Sequence, residues 1–262
     1  MGITNSVGKG GRNLKVDVKV IQAALNQVQN SKFQLKNKIE VNGKAGTDTI
    51  AAIELFQNIV VGLTKPDGLV GVNGKTIQIL KDSFQKRLNA DFFLGIMANG
   101  SKIKLLMYLP LFQAKLPKYQ IITPLRIAHF LAQVGHESLS LTYTEELASG
   151  EAYEGRKDLG NIEKGDGKRF KGRGLIQLTG RNNYEAYSND ACLNLMHKGN
   201  EKFVSQVPTY ALDASLWFWK RQNLNERADM DDLRGITRRV NGGYNGLEDR
   251  EKYLARAKFF LR

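Results

Sequence analysis

The sequence contains a single cysteine, Cys192, among its 262 residues. One cysteine excludes an internal disulfide, so the stability of the fold does not depend on an oxidising compartment. His197 lies five positions later, but a catalytic thiol and its imidazole usually come from separate elements and need a third orienting group. We therefore interpret Cys192 as a structural residue.

Long hydrophobic runs are also missing. No stretch of about 18 apolar residues occurs, and residues 1–6 lack the basic and apolar regions of a secretory signal peptide. We therefore expect the chain to be made in the cytoplasm without a signal peptide and to make no stable membrane insertion. A hydrophobic content of 42% is sufficient to bury a core, which argues against disorder.

Histidine is scarce as well, with three residues in the chain. His129 and His136 are seven positions apart, whereas zinc ligands on one helix are separated by roughly three to five residues. We therefore predict no metal site and no cofactor. His136 directly precedes Glu137, and we expect it to orient or shield that carboxyl group.

Acidic residues are outnumbered by basic ones, 26 to 39, which gives a formal charge of +13. This charge predicts attraction to a polyanion, namely nucleic acid, a membrane surface or an anionic cell wall. The lysines are not interleaved with aromatic residues in a recognisable nucleic-acid-binding motif. We therefore expect no nucleic-acid partner.

Residues 1–88 are predicted to form a first domain of three short helices. Two glycine-rich turns, residues 41–49 and 67–76, precede the second and third helix, where Thr or Asp can serve as N-cap. Apolar residues recur at helical spacing at Val16, Val20 and Ala24, at Ile50 and Ile53, and at Ile77 and Leu80.

This first domain resembles the peptidoglycan-binding domain type 1 family, whose turn "D-G-x-x-G-x-x-T" is matched here by Asp67, Gly68 and Gly71, with the threonine two positions later, at Thr76. Asn42 departs from the aspartate that is usual in the first turn. The domain has 13 Lys and Arg against 6 Asp and Glu, which suits an anionic cell wall. The alternative is a helical spacer. No Pro/Ser linker separates residues 1–88 from residues 89–262, so we expect the two domains to pack closely.

The second domain contains a helix with a carboxyl group at its end. Thr123 and Pro124 are typical of an N-cap and a first helical position. The apolar residues that follow form one stripe along the helix. Glu137 lies three residues after Val134 and therefore continues this stripe. Burial and the negative end of the helix dipole both disfavour ionisation there. Glu137 is therefore a candidate general acid.

Glycosidic cleavage usually needs a second carboxylate. Glu145 and Glu146 follow a short polar bridge, and adjacent residues point in different directions, so at most one of them is expected to face Glu137. Glu151 and Glu154 are weaker candidates, because residues 150–167 are typical of an irregular, charged loop. Tyr143 and Tyr153 are further residues that can line a cleft.

Residues 171–180 combine two glycines with alternating polar and apolar side chains. We predict a short strand whose Gln177 and Thr179 face a ligand, while Ile176 and Leu178 face the opposite way. Amides and hydroxyls of this kind bind sugars. The glycines match neither phosphate-binding motif, G-x-x-x-x-G-K-[ST] or G-x-G-x-x-G.

Four segments together resemble glycoside hydrolase family 19, in the branch of phage endolysins and bacterial cell-wall lysozymes. They are "H-F-L-A-Q-V-G-H-E-S" (129–138), "Y-E-G-R-K-D-L-G-N" (153–161), "F-K-G-R-G-L-I-Q-L-T-G-R-N-N-Y" (170–184) and "R-R-V-N-G-G-Y-N-G" (238–246). The resemblance implies a mainly α fold, with an α+β lysozyme-like catalytic domain and a small β element lining the cleft. It also implies inverting hydrolysis of β-1,4 bonds next to N-acetylated sugars.

Carried over residue by residue, the resemblance implies Glu137 as the general acid and Glu146 as the second carboxylate, with Glu145 as the alternative. Leu139 and Ser140 stand where many members have two glycines, and the second acid of plant members has no clear equivalent here. The implied or expected substrate-binding residues are His136, Tyr143, Glu145, Gln177, Thr179, Asn241 and Arg250.

We therefore expect a monomeric hydrolase of bacterial peptidoglycan, with a wall-binding domain ahead of the catalytic domain. Without a signal peptide, it would reach the periplasm through a holin-like partner or a secretion system. The sequence leaves open a phage endolysin or a bacterial effector. Two other functions remain as alternatives: a chitinase on chitin oligomers and a non-catalytic wall-binding protein. We expect Trp217 and Trp219 to pack in the core.

Overall fold

The first part of the chain forms three helices, as predicted, in the computed structural model, which describes residues 2–262. They are α1 (Lys15–Leu25), α2 (Thr47–Phe56) and α3 (Lys75–Asp82), and a turn of π-helix, Gln57–Val61, prolongs α2. Gly46 and Gly74 occupy the N-cap positions of α2 and α3, so no side chain caps these helices. The strands β1 (Val7–Gly8) and β2 (Leu69–Val70) pair antiparallel beside them.

The remainder of the chain is helical with irregular connections. Its helices are α4 (Ala90–Ile96), α5 (Lys102–Lys115), α6 (Pro124–Glu137), α7 (Asp166–Arg169), α8 (Arg181–Asp190), α9 (Phe203–Gln206), α10 (Pro208–Arg221), α11 (Leu224–Asp229), α12 (Leu233–Asn241) and α13 (Leu247–Leu261). Short 3-10 turns lie between them. No helix between residues 2 and 262 is long and apolar enough to cross a bilayer.

One hydrophobic core runs through both parts of the chain. Phe84, near the end of the first part, contacts Phe92 of α4 at a ring-centroid distance of 4.9 Å. Phe92 stacks in turn on Phe260 of α13 at 4.5 Å. Lys19 of α1 donates to the carbonyl oxygen of Ala98 at 2.7 Å. The two parts therefore pack closely and share buried side chains.

Helices α6 and α13 pack side by side, and Gly135 permits their close approach. A Cβ atom at position 135 would lie 2.5 Å from Cδ1 of Tyr253, which no side chain tolerates. The approach brings the end of α6, which carries Glu137, next to Arg250 near the start of α13. This helix pair is therefore the scaffold of the site.

The predicted strand at residues 171–180 is wrong, because this segment is a tight turn. Only isolated bridges occur in it, Arg173 with Leu178 and Glu145 with Arg173. Gly174 and Gln177 both have positive φ, at +84° and +55°, which reverses the chain between the bridged residues. Side chains along a strand alternate between its two faces, and a non-glycine residue with positive φ interrupts this alternation. The small β element predicted to line the cleft therefore consists of these bridges alone.

Candidate active site

One surface cleft, with a volume of about 800 Å³, brings together most of the predicted site residues. It lies between the end of α6, residues 143–148, the turn around Gln177 and the end of α12. His136 and Arg250 are not among its lining residues, although both lie next to it. The predicted residues that line it are Glu137, Tyr143, Glu145, Glu146, Gln177, Thr179 and Asn241.

Glu137 is the last residue of α6, and the start of that helix explains its position. Thr123 caps the helix by accepting a hydrogen bond from the backbone N–H of Arg126 at 3.2 Å, and Pro124 follows it, as predicted. The helix then buries Phe130 and Val134. Glu137 continues this stripe, so its side chain is only 14% exposed while it lines the cleft.

Arg250 holds the carboxyl group of Glu137 from the core side. Its side chain is fully buried, and Nη2 donates to Oε1 of Glu137. Nε donates to Oε1 of Gln133 at 2.8 Å, and Nη1 to the carbonyl oxygen of Asn245 at 2.7 Å. Burial lowers the pKa of the Arg250 guanidinium, and the charge of Glu137 opposes that shift. Because each guanidinium nitrogen is bonded, Arg250 fixes the orientation of Glu137.

His136 lies beside this pair and faces α13. Its Nδ1 is 2.7 Å from Oδ2 of Asp249. This contact with His136 holds the pKa of the Asp249 carboxyl below its ordinary value. Gly246 makes room for the ring, since a Cβ atom there would lie 2.2 Å from Cε1 of His136. The structure thus places His136 where it supports the end of α6. Its predicted contact with substrate stays a prediction.

Glu146 has neutral hydrogen-bond partners. The hydroxyl of Tyr153 donates to Oε1 at 3.0 Å, and the backbone N–H of Gly172 donates to Oε2 at 3.2 Å. Burial, and then the bond to Glu146, raise the pKa of the Tyr153 hydroxyl, so it remains a donor. Among residues 2–262 the carboxylate of Glu146 forms no ion pair, although Nζ of Lys171 donates to the backbone carbonyl oxygen of Glu146 at 2.9 Å.

Glu145 is bound by cations instead. Its Oε1 lies 3.2 Å from both Arg173 and Lys171, and the hydroxyl of Ser205 donates to Oε2 at 3.1 Å. Desolvation raises the pKa of Glu145, but the two cations and the hydroxyl outweigh it, so the pKa lies below its ordinary value. Arg173 is itself buried, at 3% exposure. Glu145 therefore neutralises the buried positive charge of Arg173.

The turn around Gln177 supplies amide and hydroxyl groups. Nε2 of Gln177 donates to the carbonyl oxygen of Gly174 at 3.1 Å, and Oε1 is buried without a partner among residues 2–262. Gly172 packs closely against it, and a Cβ atom there would lie 2.7 Å from Oε1 of Gln177, so a larger residue would displace that amide. Thr179 donates to the carbonyl oxygen of Gln177 at 2.8 Å. Gln177 thus keeps an acceptor next to the cleft.

Asn241 ends α12, and Gly242 follows it in the left-handed conformation at φ +79°. Both residues line the cleft, as does Tyr153. Three further lining residues were not predicted individually. Each nevertheless lies inside one of the segments that resemble family 19: Arg156, Asn183 and Arg239.

Trp217, Trp219 and His129 are structural, whereas Cys192, which was interpreted as structural, is exposed. Trp219 is fully buried and Trp217 nearly so, as predicted, whereas Phe218 between them lines the cleft. His129 is buried and its Nε2 lies 2.7 Å from Oδ1 of Asp231. No group of three residues with metal-binding side chains lies together within the described part of the chain.

Comparison with known sequences identifies the catalytic part. Residues 125–235 match the family model for class I chitinases of glycoside hydrolase family 19. A glycosyl hydrolase family 19 domain-containing protein of Haemophilus influenzae is 29% identical over 170 residues, which are 53% of this chain and 82% of the relative. An endochitinase of Arabidopsis thaliana is 32% identical over 171 residues, which cover 62% of this chain and 58% of that protein.

Solved structures agree on the fold. Chitinase C of Streptomyces griseus HUT6037 superposes with a TM-score of 0.53 at 21% identity, over 69% of this chain and 81% of that chain. Another bacterial family 19 chitinase gives a TM-score of 0.54 at 20% identity, over 66% of this chain and 94% of its own. These likenesses confirm the predicted mainly helical, lysozyme-like fold class. The C-terminal part of the chain therefore contains a glycoside hydrolase family 19 domain, and the protein is a glycosidase.

Proposed function

We propose that the protein hydrolyses bacterial peptidoglycan at β-1,4 bonds between N-acetylated amino sugars, by an inverting acid/base mechanism. The observation that carries the proposal is the pairing of Glu137 and Glu146 in one cleft, with Glu145 engaged by two cations. In an inverting reaction one carboxylic acid protonates the leaving oxygen and another carboxylate activates a water on the opposite face of the sugar.

Glu137 is proposed as the general acid. Its Oε1 is engaged by Arg250, so Oε2 is the oxygen that delivers a proton to the glycosidic oxygen. The buried guanidinium then stabilises the carboxylate that remains after proton transfer. This support comes from the core side, which leaves the cleft side of the carboxyl to the substrate.

Glu146 is proposed as the general base. Its carboxylate is held by Tyr153 and Gly172, both neutral donors, and it can accept a proton from water. Glu145 is a poorer base, because proton uptake there would weaken two ion pairs, one of them with the buried Arg173.

Gln177, Thr179 and Asn241 are proposed to hold the substrate. Gln177 and Asn241 both line the cleft, and a side-chain amide supplies both a donor and an acceptor for the N–H, O–H and C=O groups of an N-acetylated sugar. Tyr143, 41% exposed, provides an aromatic face at the rim.

Peptidoglycan is preferred to chitin because of the first 88 residues and the charge. Their resemblance to a peptidoglycan-binding domain and the overall charge of +13 both suit an anionic cell wall. The second candidate is a chitinase on chitin oligomers, which the names of the plant relatives favour.

The test is clearance of a purified peptidoglycan suspension, with release of reducing ends, by wild type and by Glu137→Gln. We expect the wild type to clear the suspension and the variant to lose on the order of 100-fold or more of the rate, while both sediment with the wall. Release from colloidal chitin but not from peptidoglycan would establish the chitinase. Equal rates for both proteins would refute the acid assignment, and wall binding without product from either would establish a binding protein.

A further inference from the structure

Helix α5 has two apolar faces, and only one of them is buried. Leu105, Tyr108, Leu109 and Phe112 form the inner face, which packs against α4 and α10. Phe112, for example, contacts Phe93 at 5.2 Å and Phe130 at 6.0 Å between ring centroids. A helix that is apolar all round is normally enclosed by protein or by lipid.

The second apolar stripe of α5 is exposed to solvent. Ile103 is 82% exposed, Met107 48% and Leu106 38%. Pro110, Ala114 and Pro117 are exposed too, and they prolong the same line at spacings of three and four residues. We call Ile103, Leu106, Met107, Pro110, Ala114 and Pro117 the outer stripe. An exposed aliphatic line of this length indicates an interaction surface.

Lysines flank the outer stripe. Lys102 and Lys104 lie one residue before and after Ile103, which places them about 100° to either side of it around the helix. Lys118 follows its far end. Among the described residues, none of these three lysines forms an ion pair, whereas Lys115 pairs with Asp213 at 2.8 Å.

The chain around α5 is free of acidic residues over a long distance. Residues 92–136 contain no Asp or Glu, but they contain Lys102, Lys104, Lys115, Lys118 and Arg126. Lys115 and Arg126 are paired with Asp213 and Asp229, so the unpaired positive charge of this segment lies at Lys102, Lys104 and Lys118. Charge of one sign beside an aliphatic stripe is the pattern of helices that lie in the plane of an anionic bilayer surface.

We propose that the outer stripe of α5 docks on the surface of an anionic lipid bilayer. The aliphatic side chains enter the acyl boundary, and Lys102, Lys104 and Lys118 contact the lipid phosphates. A 14-residue helix is about 21 Å long, so it lies in the interface and does not span the bilayer. The proposal is independent of the bond that the cleft hydrolyses.

Other occupants fit the stripe less well. A second copy of the chain packed on the same stripe would bring the flanking lysines of both copies together, and like charges repel. A nucleic acid or an anionic wall polymer would use the lysines but would leave Ile103 and Met107 without an apolar partner. Lipid satisfies both the charge and the apolar stripe.

The experiment is co-sedimentation of the full-length protein with large unilamellar vesicles. Vesicles of equal parts phosphatidylglycerol and phosphatidylcholine are compared with vesicles of phosphatidylcholine alone, using wild type and the double variant Ile103→Glu/Met107→Glu. The matched control is Ile162→Glu/Met230→Glu, which changes two other exposed apolar residues, 73% and 68% accessible, and lowers the net charge equally. Far-UV circular dichroism establishes that all three proteins are folded.

We expect the wild type and the control to bind the anionic vesicles within about twofold of each other, and the α5 variant to bind at least tenfold more weakly. Neutral vesicles should bind none of them strongly. Three outcomes would overturn the proposal: no binding of wild type to anionic vesicles, an equal loss in both variants, or a wild-type dimer in gel filtration that the α5 variant converts to monomer.

Discussion

Glu145 and Glu146 are neighbours in the chain, but their carboxyl groups have different partners. Glu145 contacts Arg173 and Lys171, whereas Glu146 accepts hydrogen bonds from Tyr153 and from a backbone N–H. Removing the charge of Glu145 therefore takes away negative charge that neutralises the buried guanidinium of Arg173. Removing the charge of Glu146 takes away a proton acceptor in the cleft.

We predict that Glu146→Gln lowers the hydrolysis rate by about 100-fold or more, because a general base contributes this order of magnitude. Glu145→Gln is the matched control and should lower the rate by less than about tenfold. Initial rates of reducing-end release from peptidoglycan measure both. If Glu145→Gln loses more of the hydrolysis rate than Glu146→Gln, then Glu145 and not Glu146 is the general base.

Glu145→Gln is expected to act on stability and to do so in a pH-dependent way. The folded-state pKa of Glu145 is depressed, so its ionised form stabilises the fold above the ordinary pKa of 4.5, and this contribution is lost as the pH falls through the folded-state value. Since Glu145 is 37% exposed, we expect a cost of only about 1 kcal/mol near pH 7.

Urea unfolding of wild type and Glu145→Gln near pH 7 and near pH 3 measures the effect. The difference between the two free energies of unfolding should shrink at the lower pH, because below pH 4.5 the unfolded wild-type chain binds a proton at Glu145 more readily than the folded chain does. A difference that stays constant or grows towards low pH would show that Glu145 does not stabilise the fold through its charge.

Single side chains were predicted to different extents. Glu137 followed from helix phasing, because Thr123 and Pro124 define where α6 begins. The partners of Glu145 lie 26 and 28 positions further along the chain, and no local pattern links them. Arg250 was identified only through the family resemblance. Its full burial and its bond to Gln133 depend on the packing of α13 against α6, which periodicity does not specify.

At the scale of elements, the segment after α6 is unusual. Leu139, Ser140 and Leu141 all have positive φ, at +45°, +54° and +64°. Residues other than glycine adopt this conformation at a cost of roughly 1–2 kcal/mol each, and seldom in succession. The hydroxyl groups of Ser140 and Tyr253 lie 2.6 Å apart and tie the turn to α13. The packed helices thus impose a left-handed turn directly after Glu137.

We predict that Leu139→Gly leaves the free energy of unfolding unchanged or raises it by up to about 1 kcal/mol. Glycine removes the backbone cost, although it also increases the entropy of the unfolded chain. Leu139 is 48% exposed, so its side chain adds little burial. Leu139→Ala is the control, since it shortens the side chain but retains the backbone cost. If Leu139→Gly is less stable than Leu139→Ala, the turn is not strained at this position.

The elements themselves were predicted where a 3.6-residue period was present. Helices α1, α2, α3 and α6 follow apolar stripes, and their prediction is confirmed. The strand at residues 171–180 failed because the positive φ of Gln177 has no signal in the residue type. Ile176 and Leu178, which were predicted to face away from the ligand, line the cleft together with Gln177 and Thr179.

At the scale of the molecule, the first 88 residues and the rest are joined by a cluster of phenylalanines. Phe84 comes from the first part, Phe92 from α4 and Phe260 from α13, and all three are buried. The chain contains two tryptophans, Trp217 and Trp219, and both lie in the second part. Their fluorescence therefore reports the second part alone.

We predict that Phe84→Ala lowers the free energy of unfolding by about 3 kcal/mol, as expected for a buried phenylalanine. Because the core is continuous, the midpoint of the tryptophan fluorescence transition should fall together with that of far-UV circular dichroism. Ile59→Ala is a suitable control, since this side chain is 36% exposed in the same part of the chain. An unchanged fluorescence midpoint in Phe84→Ala would mean that the two parts unfold independently.

The shared phenylalanine cluster also constrains how such a protein can be recombined. A cut at residue 88 would separate Phe84 from Phe92 and Phe260, and a foreign targeting module joined there would meet an uncovered apolar surface. Exchange of the first part, in evolution or in engineering, therefore requires compensating changes in α4 and α13.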